Sequence, residues 1–191
     1  MNVPIDVGNI SSLDAATRRQ DITNIRRWLE ATAFIGSPCA RVNAGHQPDG
    51  EENLDITIAS YKELVASARD LGITVLVENH WGVSTKPENI LRLLEGVGSD
   101  RFRLCPDTGN FVDVDRFQAL SELLPHAAVV HVKSYEFDES GNEVRYDLRR
   151  ALDLIASKTG ASVPVSVEFE GPGDQIEGVG RTVALLKSYF G

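Results

Sequence analysis

The chain has 191 residues, with 19 Lys and Arg against 28 Asp and Glu, a formal charge of −9 with His neutral. With 42% hydrophobic and 25% charged residues the composition is that of a globular chain of about one domain, which sets aside disordered, collagen-like and coiled-coil classes. The acidic balance argues against tracking nucleic acid, because a phosphate-binding surface needs clustered Lys and Arg and the basic residues gather here only in short pairs, Arg18-Arg19, Arg26-Arg27 and Arg149-Arg150.

Short β-branched runs alternate with longer helical stretches. The first run is VPIDVGN (3–9), followed by a segment in which Ile22, Ile25, Trp28 or Leu29, and Thr32 or Ala33 recur on one side. PCARVNAG (38–45) leads into a helix expected from Asn53 to Leu71, with Gly72 as a left-handed stop. ITVLVENH (73–80) precedes a helix at 87–97, which Pro87 suits as a first position because its missing N–H is not needed there. FRLCPDTG (102–109) precedes a helix at 115–124, ended by Pro125. AAVVHVKS (127–134) and VPVSVEFE (163–170) are followed by helices at 146–158 and 175–189, and Asp147 reads as a cap of the former. Runs this apolar suit strands buried on both faces of a parallel sheet. The order is βα taken six times, which leaves a doubly wound open sheet or a (β/α) barrel.

Cys39 and Cys105 lie far apart with no CxxC spacing, and each sits in an apolar run, so both are expected to be buried thiols. The opening residues MNVPIDVGNI hold no basic stretch followed by an apolar core, and no apolar run reaches the roughly 20 residues that cross a bilayer. The expectation is a cytoplasmic enzyme or binding protein with no membrane partner.

Four runs stay apolar until their last residues and then present a side chain that can hold a metal: Glu78 in VLVENHWG, Asp107 in RLCPDTGNF, His131 in AVVHVKS and Glu168 in VSVEFEG. In a barrel the carboxyl ends of the strands meet at one mouth, so these four residues could converge; an open sheet would spread them along a line. Each has a plainer reading alone, a carboxylate as a helix cap and a histidine as a hydrogen-bonded core residue. Together, three carboxylates and one imidazole favour Mn²⁺, Mg²⁺ or Co²⁺ over the thiolate-rich sites that zinc prefers. His80 and Lys133 lie two residues beyond Glu78 and His131, on the same strand face, where either could hold a substrate oxygen. Glu170 shares the face of Glu168, so spacing leaves open which of the two is the ligand.

These residues resemble the xylose-isomerase-like TIM barrels, which include sugar isomerases and epimerases, inosose dehydratases and AP endonuclease-type enzymes. LVENH, CPDTGN, VVHVKS and VSVEFEGPGD carry the resemblance, which runs from about Val3 to Phe190. It implies a (β/α)8 TIM-barrel type fold with about six βα units present, an N-terminally incomplete barrel in which ARVNAG resembles the fourth strand, all in one domain over 1–191. It implies a divalent ion on Glu78, Asp107, His131 and Glu168, with Glu168 preferred as the first position of E-x-E. Glu78 and Glu168 would be the catalytic pair, one removing a proton beside a carbonyl and the other returning it. His80, Lys133, Asn110 and Arg41 are the expected substrate-binding residues, with a buried salt bridge as the competing reading for Arg41. Asn110 stands where many members carry the histidine of D-x-x-H, which argues against a trinuclear zinc site.

The expected activity is a metal-dependent isomerase or epimerase of a small keto-sugar or polyol-like substrate, acting through an enediolate. The alternatives are an inosose-type dehydratase on the same scaffold and a fragment that only binds ligand or partner. Six units in this length fall about two strands short of the roughly 250 residues usual for the barrel. That predicts an open edge beside VPIDVGN, which a homo-oligomer would cover.

Overall fold

The computed structural model describes residues 1–50, 52–160 and 162–191. The chain divides into two compact units, Met1–Cys105 and Pro106–Gly191. The first contains β1 (Asn2–Ile5), α1 (Ala15–Phe34), β2 (Cys39–Val42), α2 (Leu54–Asp70), β3 (Thr74–Val77), a 3₁₀ turn (Gly82–Ser84), α3 (Pro87–Val97) and β4 (Phe102–Leu104). The second contains α4 (Arg116–Leu123), a 3₁₀ turn (Leu124–His126), β5 (Val130–Ser134), α5 (Leu148–Lys158), β6 (Val165–Phe169) and α6 (Gln175–Phe190).

In the first unit the four strands form one sheet in the order β1-β2-β3-β4, every pair parallel. Ile5 lies opposite Val42, and Val77 opposite Leu104, so the carboxyl ends of the strands are level. Consecutive parallel strands need a crossover, and each helix supplies one while burying an apolar stripe. On α1 that stripe is Ile22, Ile25, Leu29 and Thr32. The choice left open between Trp28 and Leu29 falls to Leu29, which is fully buried while Trp28 is half exposed. Asp14 caps α1 at Thr17 N and Asn53 caps α2 at Asp55 N, satisfying amides that have no partner inside their helices. Gly72, at φ 73°, is the left-handed residue after α2.

In the second unit β5 and β6 pair in parallel, with His131 opposite Ser166 and Lys133 opposite Glu168. The core gathers Val130 and Val132 with Leu120, Leu148, Leu152, Ile155 and Leu185 from the helices. Asp115, Asp147 and Asp174 cap α4, α5 and α6, so the capping role read for Asp147 holds.

The strands are shorter than their apolar runs. The run at 102–109 pairs as a strand only through Leu104, although the amide of Cys105 still donates to Val77 O. Pro106 has no N–H to continue that ladder. The chain crosses instead to β5, where Pro106 O accepts from His131 N and Thr108 N donates to His131 O, an isolated parallel bridge that sets Asp107 beside His131. Cys39 and Cys105 are both buried thiols. Among the described residues no helix is long and apolar enough to cross a membrane.

Candidate metal centre and active site

In the second unit three of the expected ligands meet. Asp107 is fully buried, His131 is 5% exposed, and Glu168 is half-buried at the carboxyl end of β6. One ligand atom from each lies within 4.8 Å of the others. Oxygen and nitrogen ligands held about 2.0–2.6 Å from one ion stand up to roughly 5 Å apart, so the cradle has the dimensions of a single divalent site. Its donor set, carboxylates with one imidazole, suits Mn²⁺, Mg²⁺ or Co²⁺.

Lys133 holds this cluster together. Its side chain is buried, and Nζ lies 2.8 Å from Glu170 Oε1, 3.2 Å from Glu168 Oε2 and 3.6 Å from Asp107 Oδ2. It also donates to Asn110 Oδ1 at 2.8 Å. Burial alone would lower its pKa, but the charges of Asp107, Glu168 and Glu170 outweigh that and raise it, so it stays an ammonium. Glu168 sits under the opposite balance. Burial pushes its carboxyl up, but the bond from His131 Nδ1 at 2.8 Å and the charge of Lys133 hold it down to about 2. The choice between the two glutamates of E-x-E is thereby given a geometry: Glu168 touches His131, whereas Glu170 turns to Lys133 and is 53% exposed.

The backbone around Asp107 is built to fix that carboxylate. Asp107 Oδ1 accepts from the amides of Gly109 at 2.6 Å and Asn110 at 3.0 Å, leaving Oδ2 toward Lys133. Gly109 is required where it stands, since a Cβ there would lie 2.9 Å from Lys133 Cβ and 2.7 Å from the Tyr135 hydroxyl. Thr108 Oγ1 accepts from Lys133 N at 3.0 Å and bonds the Tyr146 hydroxyl at 2.7 Å, and Tyr146 donates to Lys133 O. Burial drives the Tyr146 pKa up, which keeps that hydroxyl a donor. Tyr146 escaped the sequence reading, because a tyrosine before a helix carries no signal of a partner on a strand.

The first unit places Glu78 just past the end of β3, 2% exposed, with Arg41 Nε 3.1 Å from its Oε2. Arg41 also binds Asp6 through both terminal nitrogens, so the buried guanidinium joins buried Glu78 to exposed Asp6 in an ion triad. Asp6 was missed, although it ends its apolar run as Glu78 does. Asn43, two residues beyond Arg41, donates from Nδ2 to Asp6 Oδ1 at 2.9 Å. His80 anchors a turn: its amide meets Ser84 Oγ at 3.3 Å, and its carbonyl accepts from Thr85 Oγ1 at 3.4 Å.

Residues 1–189 match the family model of the xylose isomerase-like TIM barrel. The chain belongs to this family. No curated protein sequence matches the chain. Among solved structures, an L-ribulose 3-epimerase aligns with a TM-score of 0.83 at 17% identity, over 98% of this chain and 74% of its own. A D-allulose 3-epimerase from Methylomonas sp., in complex with D-allulose, aligns at 0.74 and 16% identity, over 97% of this chain and 74% of its own. A xylose isomerase-like TIM barrel protein from Mycobacterium smegmatis, in complex with magnesium, aligns at 0.68 and 20% identity, over 100% and 74%. At such identities the likeness establishes the fold, an α/β TIM-barrel type, to which this family member contributes six parallel strands and six α-helices among its described residues.

Proposed function

We propose that the protein is a divalent-metal-dependent sugar epimerase or isomerase acting on a small ketose, and that residues 1–191 make up a single TIM-barrel domain. The observation that carries this reading is the buried convergence of Asp107, His131 and Glu168 around one point, with ligand atoms within 4.8 Å. Glu78, from the first unit, is the fourth ligand in this proposal, as the family resemblance implies. When bound, the ion supplies Lewis acidity toward a substrate carbonyl oxygen.

Glu78 and Glu168 are the catalytic pair of this proposal, acting on the carbon next to that carbonyl. One carboxylate removes the proton, giving an enediolate, and the other returns a proton to the opposite face. A carboxyl held at about 2, as Glu168 is before metal binding, is an anion at neutral pH, the state in which it can ligate a cation. Lys133, fixed by Asp107, Glu168 and Glu170, presents a permanent positive charge to the oxygen that becomes anionic in the enediolate. Asn110 orients that ammonium. Arg41 holds Glu78 in place, and His80 binds a substrate oxygen at the rim.

Incubation of the Mn²⁺-loaded protein with D-allulose tests the reading. The expected result is appearance of the C3 epimer, abolished in Glu168→Gln and Glu78→Gln variants that still fold. No conversion of any free ketose by the folded, metal-loaded chain would refute it. Formation of a dehydrated product would assign the site to the dehydratase branch.

A further inference from the structure

We propose that Asn43 is a specificity-determining residue whose side-chain oxygen accepts a hydroxyl hydrogen of the substrate, which makes the preferred substrate an uncharged polyhydroxy compound rather than a phosphorylated one. This rests on the function proposed above and names the substrate class of the same site.

Asn43 is 4% exposed, and its Oδ1 is buried without a hydrogen-bond partner. The other end meets Asp6 Oδ1 at 2.9 Å, and an ionised carboxylate only accepts, so the NH₂ group must face Asp6. Oδ1 is therefore left as an acceptor, and a buried acceptor without a donor forfeits the hydrogen bond that water gives it in the unfolded chain. A ligand that donates to it restores that bond.

Asn43 is linked through Asp6 and Arg41 to Glu78, which the proposed function places in the site. The amide of Asn43 donates to Ile5 O, continuing the ladder past β2, so Arg41 and Asn43 project on one face of the sheet. Their shared contact with Asp6 confirms the common face, and Arg41 on that face reaches Glu78. This side of the first unit offers oxygen acceptors, Asn43 Oδ1 and the Asp6 carboxylate, whose side chain is 56% exposed. The Arg41 guanidinium beside them is turned onto Asp6 and Glu78. Sugar hydroxyls donate to such a surface, whereas a phosphate ester, an acceptor carrying negative charge, meets repulsion from Asp6. In the second unit the buried cation, Lys133, is likewise committed to carboxylates.

Two measurements on the full Mn²⁺-loaded chain decide the matter. The first compares D-allulose with its 6-phosphate in wild type and in Asn43→Leu, which keeps the side chain's volume and removes the acceptor. Wild type is expected to favour the free sugar by kcat/KM at least roughly 100-fold, and Asn43→Leu to lose about 10- to 100-fold on it, mainly in KM, with Mn²⁺ affinity unchanged. Preference for the phosphate, or an unchanged KM in Asn43→Leu, overturns the proposal. The second needs neither turnover nor a variant that folds: the side-chain amide resonance of Asn43 is followed by NMR during titration with xylitol and, separately, inorganic phosphate. A shift with xylitol and none with phosphate is expected, and the reverse overturns the assignment. Absence of ketose turnover together with the xylitol shift refutes the epimerase reading while leaving this inference standing.

Discussion

At the scale of single residues, the second unit is organised by one ammonium set among three carboxylates. Removing Lys133 would leave Asp107, Glu168 and Glu170 without their common counter-charge, and breaking a buried pair from one side costs about 3–5 kcal/mol. The pH dependence follows from Glu168. Its folded pKa of about 2 lies below the ordinary 4.5, so the folded state favours the anion. The resulting stability is fully present above pH 4.5 and is lost as pH falls toward 2. Its size is at most roughly 3 kcal/mol, reduced by solvent screening on a side chain 31% exposed. Acid unfolding of the metal-free protein, followed by circular dichroism, should therefore show stability falling across that window. In Lys133→Met, which removes one of the groups holding the anion, stability should start from a lower plateau, and the fall below pH 4.5 should be smaller and end at higher pH. Identical acid profiles for the two proteins would contradict the role given to Lys133.

At the scale of elements, the helices are set by local chemistry and the strands by their neighbours. Asp147 Oδ1 accepts from Arg150 N at 3.0 Å at the start of α5. Asp147→Ala should cost about 1 kcal/mol in urea denaturation and leave ketose turnover unchanged, since the residue acts as a cap. A loss of turnover without loss of stability would instead place Asp147 in the site. This division explains what the sequence disclosed. Capping residues and apolar periodicity are local, so α3 is found at the residues read for it and α2, α4, α5 and α6 within a residue or two. Strand ends depend on which neighbour supplies the next hydrogen bond, so the crossing at Pro106 from β4 to β5 could not be read from an apolar run. The candidate ligand residues were legible because a strand that turns from apolar to metal-binding side chains at its end is unusual, and several did so. Asp6, Asn43 and Tyr146 were not, because their roles lie in partners distant in sequence: Arg41, Asp6 and Lys133.

At the scale of the whole molecule, the proposal makes one domain of two units, and the tryptophans offer a way to examine it. Trp28 and Trp81 both belong to the first unit, while Asp107, His131 and Glu168 belong to the second. Mn²⁺ at about 100 times its Kd should stabilise the native state by about 2.7 kcal/mol. If Glu78 shares the ion with the three ligands of the second unit, the tryptophan-detected unfolding midpoint must rise with Mn²⁺. A midpoint that stays fixed while far-ultraviolet dichroism reports stabilisation would separate the units and remove Glu78 from the site.

The central claim is proton transfer between carboxylates at the carbon next to a ketose carbonyl, and solvent isotope exchange reads it most directly. With Mn²⁺-loaded protein and D-allulose in D₂O, proton NMR should show the C3–H signal disappearing as deuterium enters at that carbon, at a rate lost in Glu168→Gln. Retention of hydrogen at C3 while the sugar is converted, or no exchange by a folded and metal-loaded chain, would contradict it.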